Sequence, residues 1–203
     1  MNVVLLGDSI FDNSRYVPGE LPVVDQLQSL LPRGSNATLL AVDGSVTNEV
    51  IRQVAKLPAN ASHLIVSSGG NDALHASLLL DQPGRLLAML AVAQEEFRIN
   101  YRRLLQVFKK TTKPTVACTI YDSIPGLGGE KKTALSIFND VIVSEASRLG
   151  FPIIDLRPLC SEAGDYAEVS PIEPSSTGGM KIAKKIAELI QTLDFKFPRT
   201  ILF

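Results

Sequence analysis

The chain has 203 residues, of which 45% are hydrophobic and 20% are charged, and its formal net charge is −1. This composition fits a single globular domain over residues 1–203 and excludes a disordered chain. The near-zero charge disfavours nucleic acid and anionic membrane surfaces as partners. No signal peptide and no membrane-spanning stretch is recognised, so we expect a cytoplasmic protein.

The first predicted element is a buried strand at residues 3–6, made of two valines and two leucines. It ends at Gly7, Asp8 and Ser9, a turn that presents a hydroxyl group. A serine in such a turn is a candidate nucleophile for attack on an acyl group. The simpler alternative is that Asp8 and Ser9 only cap the element that follows.

Further along the chain, apolar periodicity predicts alternating helices and strands. The remaining predicted strands cover residues 37–42, 64–66, 115–120 and 152–155. The predicted helices cover residues 23–31, 46–57, 84–110, 135–149 and 180–193. Proline or glycine follows several of the helices closely, as at Pro58 and Gly150, where we expect them to end. The segments 12–22, 73–84, 121–131 and 157–177 are predicted to be loops.

The predicted strands are continuous apolar runs, which is typical of a parallel sheet covered by helices on both faces. In such sheets ligands bind beyond the carboxyl ends of the strands. Ser9, Gly44, Asn71 and Tyr121 all lie at or just beyond predicted strand ends. We therefore expect these residues to converge on one cleft.

The last nine residues, 195–203, form an apolar tail with one proline and two basic residues. Two interpretations are open for it. The tail either packs back on the body of the domain or mediates self-association into a homo-oligomer.

Four blocks of the sequence resemble the ordered motifs of the SGNH, or GDSL-type, hydrolases. The blocks are Gly7-Asp8-Ser9, Asp43-Gly44-Ser45, Gly70-Asn71-Asp72 and Pro171-Ile172-Glu173-Pro174-Ser175. The resemblance extends over nearly the whole chain, including the order and spacing of its elements. It implies a flavodoxin-like three-layer α/β/α sandwich with a central five-stranded parallel sheet, and hydrolysis of a small-molecule carboxylic ester or related acyl compound.

By that resemblance Ser9 would be the nucleophile. The amide of Ser9 or its neighbour, the Gly44 amide and the Asn71 side chain would form the oxyanion hole. These residue types suit the role, because glycine lets a backbone amide approach closely and asparagine supplies a neutral donor.

The last block departs from the family pattern, which is an acid, two residues and then a histidine before the final helix. The corresponding residues here are Ser170-Pro171-Ile172-Glu173. Glutamate at this position also resembles a sub-branch of the family. Serine needs a general base within hydrogen-bond reach, and an ordinary glutamate is a weaker base than histidine unless burial raises its pKa.

Three hypotheses stay open at this point. Glu173 could serve as the base of a working hydrolase, or the cleft could bind a ligand without hydrolysing it, or the acyl group could pass to an alcohol or amine. Of the two histidines, His75 could turn toward the cleft, whereas His63 precedes the third predicted strand at the opposite edge of the sheet.

Four further residues are candidates for substrate binding: Asp8, Asp12, Tyr121 and Arg157. Asp12 could instead form a turn within its own loop. Arg157 could pair with Glu173, which would lower the pKa of that carboxyl group, or with Asp155. No metal-ligand spacing or phosphate-binding glycine loop is recognised, so no cofactor is expected.

Overall fold

The computed structural model describes residues 1–78, 86–196 and 199–203. It has a sheet of five strands: β1 (Asn2–Gly7), β2 (Asn36–Leu39), β3 (His63–Ser67), β4 (Thr115–Cys118) and β5 (Ile153–Ile154). The strands pair in parallel in the order β2-β1-β3-β4-β5. This arrangement confirms the flavodoxin-like three-layer α/β/α sandwich.

Helices cover both faces of the sheet. They are α1 (Val23–Leu30), α2 (Thr47–Val54), α3 (Gly70–Ser77), α4 (Leu86–Lys110), α5 (Gly129–Leu149), α6 (Leu156–Leu159) and α7 (Ser176–Thr192). The predicted start of the long helix at Gly84 lies outside the described residues. None of the helices within the described ranges is long and apolar enough to cross a membrane.

Two of these helices correct the sequence prediction, which assigned residues 73–77 and 157–159 to loops. Helix α3 begins directly after Gly69 and buries only Ala76, so it lacks the apolar stripe that marks a helix in sequence. Helix α6 is a single turn in which the Asp155 side chain accepts a hydrogen bond from the Arg157 amide. In addition, α5 begins at Gly129, six residues before the first residue of its predicted range.

The alternation of side chains along β1 divides the core into two layers. Val3 and Leu5 pack on one face with residues of α1 and α7. Val4 and Leu6 pack on the other face with residues of α2, α4 and α5. All four side chains are fully buried, which accounts for the uninterrupted apolar run at the start of the sequence.

Strand β2 is shorter than predicted and ends at Leu39. Beyond it, the Leu40 and Ala41 amides both donate to the Leu5 carbonyl oxygen, over 2.9 and 3.0 Å. The regular ladder therefore breaks, although the chain continues along β1 toward the turn at Gly44.

The end of the tail packs back on the body of the domain. The amides of Ile153 and Asp155 donate to the carbonyl oxygens of Ile201 and Phe203, over 2.9 and 2.8 Å. The Phe203 amide donates in return to the Ile153 carbonyl oxygen over 2.9 Å. Residues 201–203 thus satisfy part of the exposed edge of β5.

The strand order places a topological switch point between β1 and β3. From β1 the chain moves outward to β2, and from β3 it moves in the opposite direction to β4 and β5. Crevices at such points bind ligands in open parallel sheets. Ser9 directly follows β1, and Asn71 lies in the first turn of α3 after β3.

Candidate functional site

The turn that carries Ser9 begins at a position that only glycine can occupy. Gly7 has a φ of +134°, and a Cβ atom there would lie 1.8 Å from the carbonyl oxygen of Ser67 on β3. After this residue the chain turns sharply, and the amides of Phe11 and Asp12 both donate to the Asp8 carbonyl oxygen over 3.1 Å. Ser9 lies in this turn with 8% of its surface exposed.

Gln53 holds the same turn from α2, a role that the sequence analysis missed. Its Oε1 accepts from the Gly7 amide and its Nε2 donates to the Gly7 carbonyl oxygen, each over 2.8 Å. Gln53 follows Val50 by three residues, on the face of α2 that packs inward. A polar residue at that spacing was the signal in the sequence.

The second strand end is held against the third by Asn71. Its Nδ2 donates to the Ser45 carbonyl oxygen over 3.1 Å, and one hydrogen of that amide group remains available. Ser45 belongs to a turn in which its own amide donates to Val42 and in which Gly44 has a φ of +79°. Asn71 therefore contacts the turn that contains Gly44, although Gly44 itself does not line the cavity beside Ser9.

The amides of Ser9 and Ile10 differ in their availability. The Ile10 amide donates to Asp8 Oδ1 over 3.2 Å and is occupied. Within the described ranges, neither the Ser9 amide nor the Gly44 amide has a hydrogen-bond acceptor. Of the Ser9 and Ile10 amides, only the Ser9 amide is therefore available, within the described residues, to donate a hydrogen bond to a ligand.

Glu173 lies in a turn fixed by its neighbours. Its amide donates to the Ser170 carbonyl oxygen over 3.3 Å, and its carbonyl oxygen accepts from the Ala167 amide over 2.9 Å. The next residue, Pro174, accepts a hydrogen bond from Asn13 Nδ2 over 3.1 Å. Asn13 belongs to the loop that follows Ser9, so this bond ties the two segments together.

The Glu173 side chain is buried, with 4% of its surface exposed. Burial raises the pKa of its carboxyl group, and the nearby hydroxyls of Ser170 and Ser9 offset part of that rise. Oε2 has no hydrogen-bond partner of good geometry in the part of the chain that the structure describes. Contacts between a catalytic base and its nucleophile are often long or poorly aligned in the absence of substrate.

Asp8 is a second buried carboxyl group at the site. Burial raises its pKa to about 7, the Ile10 amide opposes that rise, and the charges of Asp72 and Glu173 add to it. Asp72 is itself tied to α2, because its Oδ2 accepts from the amide and the hydroxyl of Thr47, each over 3.0 Å.

An apolar cavity of about 280 Å³ opens beside Ser9. Asp8, Ser9 and Asn71 line one end of it, together with Tyr121. The Tyr121 hydroxyl donates to the Ile172 carbonyl oxygen over 2.6 Å, which fixes the segment before Glu173 against the end of β4.

Asp12 and Arg157 do not line this cavity. Asp12 Oδ2 accepts from the Asp43 amide over 2.9 Å and so links the loops after β1 and β2. Arg157 forms two hydrogen bonds with Asp155, over 2.7 and 2.6 Å, which is the second of the two pairings considered for it.

Neither histidine lies on the cavity. His75 is exposed on α3, and the cavity is lined by other residues of that helix. His63 is the first residue of β3. Its Nδ1 lies 2.9 Å from the Ser62 hydroxyl, and its ring contacts the ring of Phe195. Among the described residues, no cluster of three or more His, Cys, Asp or Glu side chains is placed to hold a metal ion.

The parallel sheet and the residues at its strand ends define the class of SGNH-type hydrolases. The model of the GDSL-like lipase/acylhydrolase family matches residues 5–178 of the sequence. The chain therefore belongs to this family of esterase- and lipase-like hydrolases. No curated protein matches the sequence.

Several solved structures share the fold at low sequence identity. A lipase from a goat rumen metagenome is 20% identical, with a TM-score of 0.72 over 93% of this chain and 96% of the other. An extracellular lipase from Streptomyces rimosus is 20% identical, with a TM-score of 0.66 over 92% and 99%. A variant of an acetyl xylan esterase from Geobacillus stearothermophilus is 17% identical, with a TM-score of 0.69 over 97% of both chains.

Proposed function

We propose that this protein hydrolyses carboxylic esters through Ser9, with Glu173 as the general base. The observation that carries the proposal is the buried Glu173 carboxyl group beside Ser9, with one oxygen that accepts no hydrogen bond from the described residues. A buried carboxylate oxygen without a partner is costly, so its retention beside a hydroxyl suits a group that exchanges protons with that hydroxyl.

In the first step Ser9 Oγ would attack the acyl carbon while its proton passes to Glu173. The carbonyl π electrons move to oxygen, and the resulting oxyanion would accept hydrogen bonds from the Ser9 amide, the Gly44 amide and the free hydrogen of Asn71 Nδ2. Removing one such donor typically costs about 100- to 1,000-fold in kcat. Collapse of the intermediate expels the alcohol, which takes the proton from Glu173.

In the second step Glu173 would take a proton from water, and the hydroxide attacks the acyl-Ser9 ester. Collapse releases the carboxylic acid and returns the proton to Ser9. Burial favours this use of a glutamate, because a pKa raised toward neutrality makes the carboxylate a stronger base.

A fluorophosphonate probe followed by peptide mass spectrometry tests the nucleophile. We expect the probe to label Ser9, and Ser9→Ala to remove the label. Ser67→Ala is the matched control, since Ser67 is also a buried serine that lines the cavity. Labelling that is absent from Ser9, combined with no ester turnover, would leave a ligand-binding module in place of a hydrolase.

A further inference from the structure

The apolar cavity beside Ser9 has no part in the proton transfers or in oxyanion binding. It extends from the strand ends to a wall formed by helices on one face of the sheet. That wall includes Ala76 of α3, Leu90 of α4, and Ala134 and Phe138 of α5, all of them buried. The space therefore lies beside the acyl carbon of a substrate bound at Ser9.

Polar side chains are a minority of the cavity lining. Asp8, Ser9, Ser67 and Asn71 belong to the strand ends or the residues just beyond them. Ser77 is also on the lining, but its hydroxyl donates to the Leu74 carbonyl oxygen over 2.7 Å. Lys131, at the start of α5, is exposed to solvent. A sugar placed against the helical wall would leave its hydroxyls without partners, which is strongly unfavourable.

The rim of the cavity is also apolar. Leu74 and Ile172 both line it and remain 44% and 39% exposed. A flexible hydrocarbon chain can reach the interior across such a rim without losing hydrogen bonds to water.

From these features we infer that the cavity holds the acyl chain of the substrate, and that this chain is a medium-length hydrocarbon. The inference rests on the proposed function for the position of the acyl carbon. A water-sized group occupies about 30 Å³, and a methylene group is of similar size. The volume of about 280 Å³ therefore corresponds to about nine carbon atoms.

The test measures kcat/KM of the full chain on p-nitrophenyl esters from acetyl to dodecanoyl. Each buried methylene should raise kcat/KM by roughly fourfold, the rate equivalent of its transfer free energy. The rise should continue to about eight or nine carbons and then reverse. A flat profile, or one highest for acetyl, would overturn the inference.

Ala76→Phe adds bulk inside the cavity and should lower the ratio of octanoyl to acetyl kcat/KM by about tenfold or more, the loss of two methylene contacts. Leu90→Ala enlarges the cavity and should move the optimum to a longer chain, which keeps the test open if Ala76→Phe does not fold. Val92→Phe adds a ring at an exposed position of α4 off the cavity lining and should leave the ratio unchanged. Equal ratios in all three variants would contradict the inference.

Binding separates this inference from the proposed function. If no ester is hydrolysed, the proposed function fails, and titration of Ser9→Ala with methyl octanoate and methyl acetate still tests the cavity. Tighter binding of methyl octanoate than of methyl acetate to Ser9→Ala supports the inference if the double variant Ser9→Ala, Ala76→Phe loses that preference. Equal binding of the two esters overturns it.

Discussion

Gln53 and Gly7 form two reciprocal hydrogen bonds of 2.8 Å at the end of β1, because the Gly7 amide donates to Gln53 Oε1 and Gln53 Nε2 donates to the Gly7 carbonyl oxygen. Both residues are buried, so loss of the side-chain amide leaves the Gly7 amide without a partner. We expect Gln53→Leu to lower the free energy of unfolding by about 1–3 kcal/mol. Urea unfolding measures the change.

Gln28 offers a matched control for this prediction. It forms the same kind of pair, donating to the Ser35 carbonyl oxygen over 3.0 Å and accepting from the Ala37 amide over 2.8 Å, but at an exposed position. Water replaces its bonds when they are lost, so Gln28→Leu should cost less than about 1 kcal/mol. Equal losses of unfolding free energy in Gln53→Leu and Gln28→Leu would contradict the larger contribution expected from the buried bonds to Gly7.

Gly7→Ala should be far more damaging than an alanine at another glycine of positive φ. The new Cβ would meet the Ser67 carbonyl oxygen at 1.8 Å, so the β1–β3 pairing must shift to admit it. Gly19 has a φ of +82° with no atom near the position of a Cβ, so Gly19→Ala should cost about 1 kcal/mol. In urea unfolding, we expect Gly7→Ala to lose at least about 2 kcal/mol more unfolding free energy than Gly19→Ala. Similar losses would contradict the close approach of the two strands.

Asp8 should make the stability of the protein depend on pH. Burial raises its pKa from 3.8 in the unfolded chain to about 7 in the folded protein, so the folded state holds the proton more tightly. The stabilisation this provides is present below pH 4 and is lost as the pH rises to about 7. Asp8→Asn keeps the acceptor for the Ile10 amide and removes the titration.

The free energy of unfolding of Asp8→Asn, relative to the parent protein, should therefore increase between pH 4 and pH 8 by about 2–4 kcal/mol. Urea unfolding at pH steps across that range measures the difference. The surface variant Glu168→Gln should give a curve parallel to that of the parent. A constant difference between Asp8→Asn and the parent would show that Asp8 has an ordinary pKa.

The apolar runs of the sequence were sufficient to predict the sheet, because β1, β3, β4 and β5 are almost entirely buried and most of the edge strand β2 is partly buried. Helix ends with strong local signals were also predicted, as at Gly150, whose φ of +71° ends α5. Helix α3 was missed because its first turn holds Gly70, Asn71 and Asp72, residue types that usually indicate a loop.

Predictions for the site divide in the same way. Gly44 and Asn71 were expected to lie near each other because they follow successive strands, and the Asn71 side chain bonds to Ser45, the residue after Gly44. The burial of Glu173 could not be predicted, since the residues on either side of it are held by Asn13 and Tyr121, which are distant in the sequence. Two acidic partners were considered for Arg157, namely Asp155 and Glu173. Arg157 bonds to Asp155, two residues away, because this pairing does not require closure of a long loop.

The pH dependence of Glu173→Gln tests the central claim most directly. The measurement is kcat/KM on p-nitrophenyl butyrate from pH 4 to pH 9, with Glu168→Gln as the surface control and thermal unfolding to verify the fold. Burial raises the pKa of Glu173, so parent activity should rise with pH along a limb above the usual glutamate range of about 4.3. Glu173→Gln should lose about 100- to 10,000-fold at the plateau and lose that limb, whereas Asp8→Asn should retain it. A folded Glu173→Gln with the rate and pH profile of the parent would contradict the role of Glu173 as the base for Ser9.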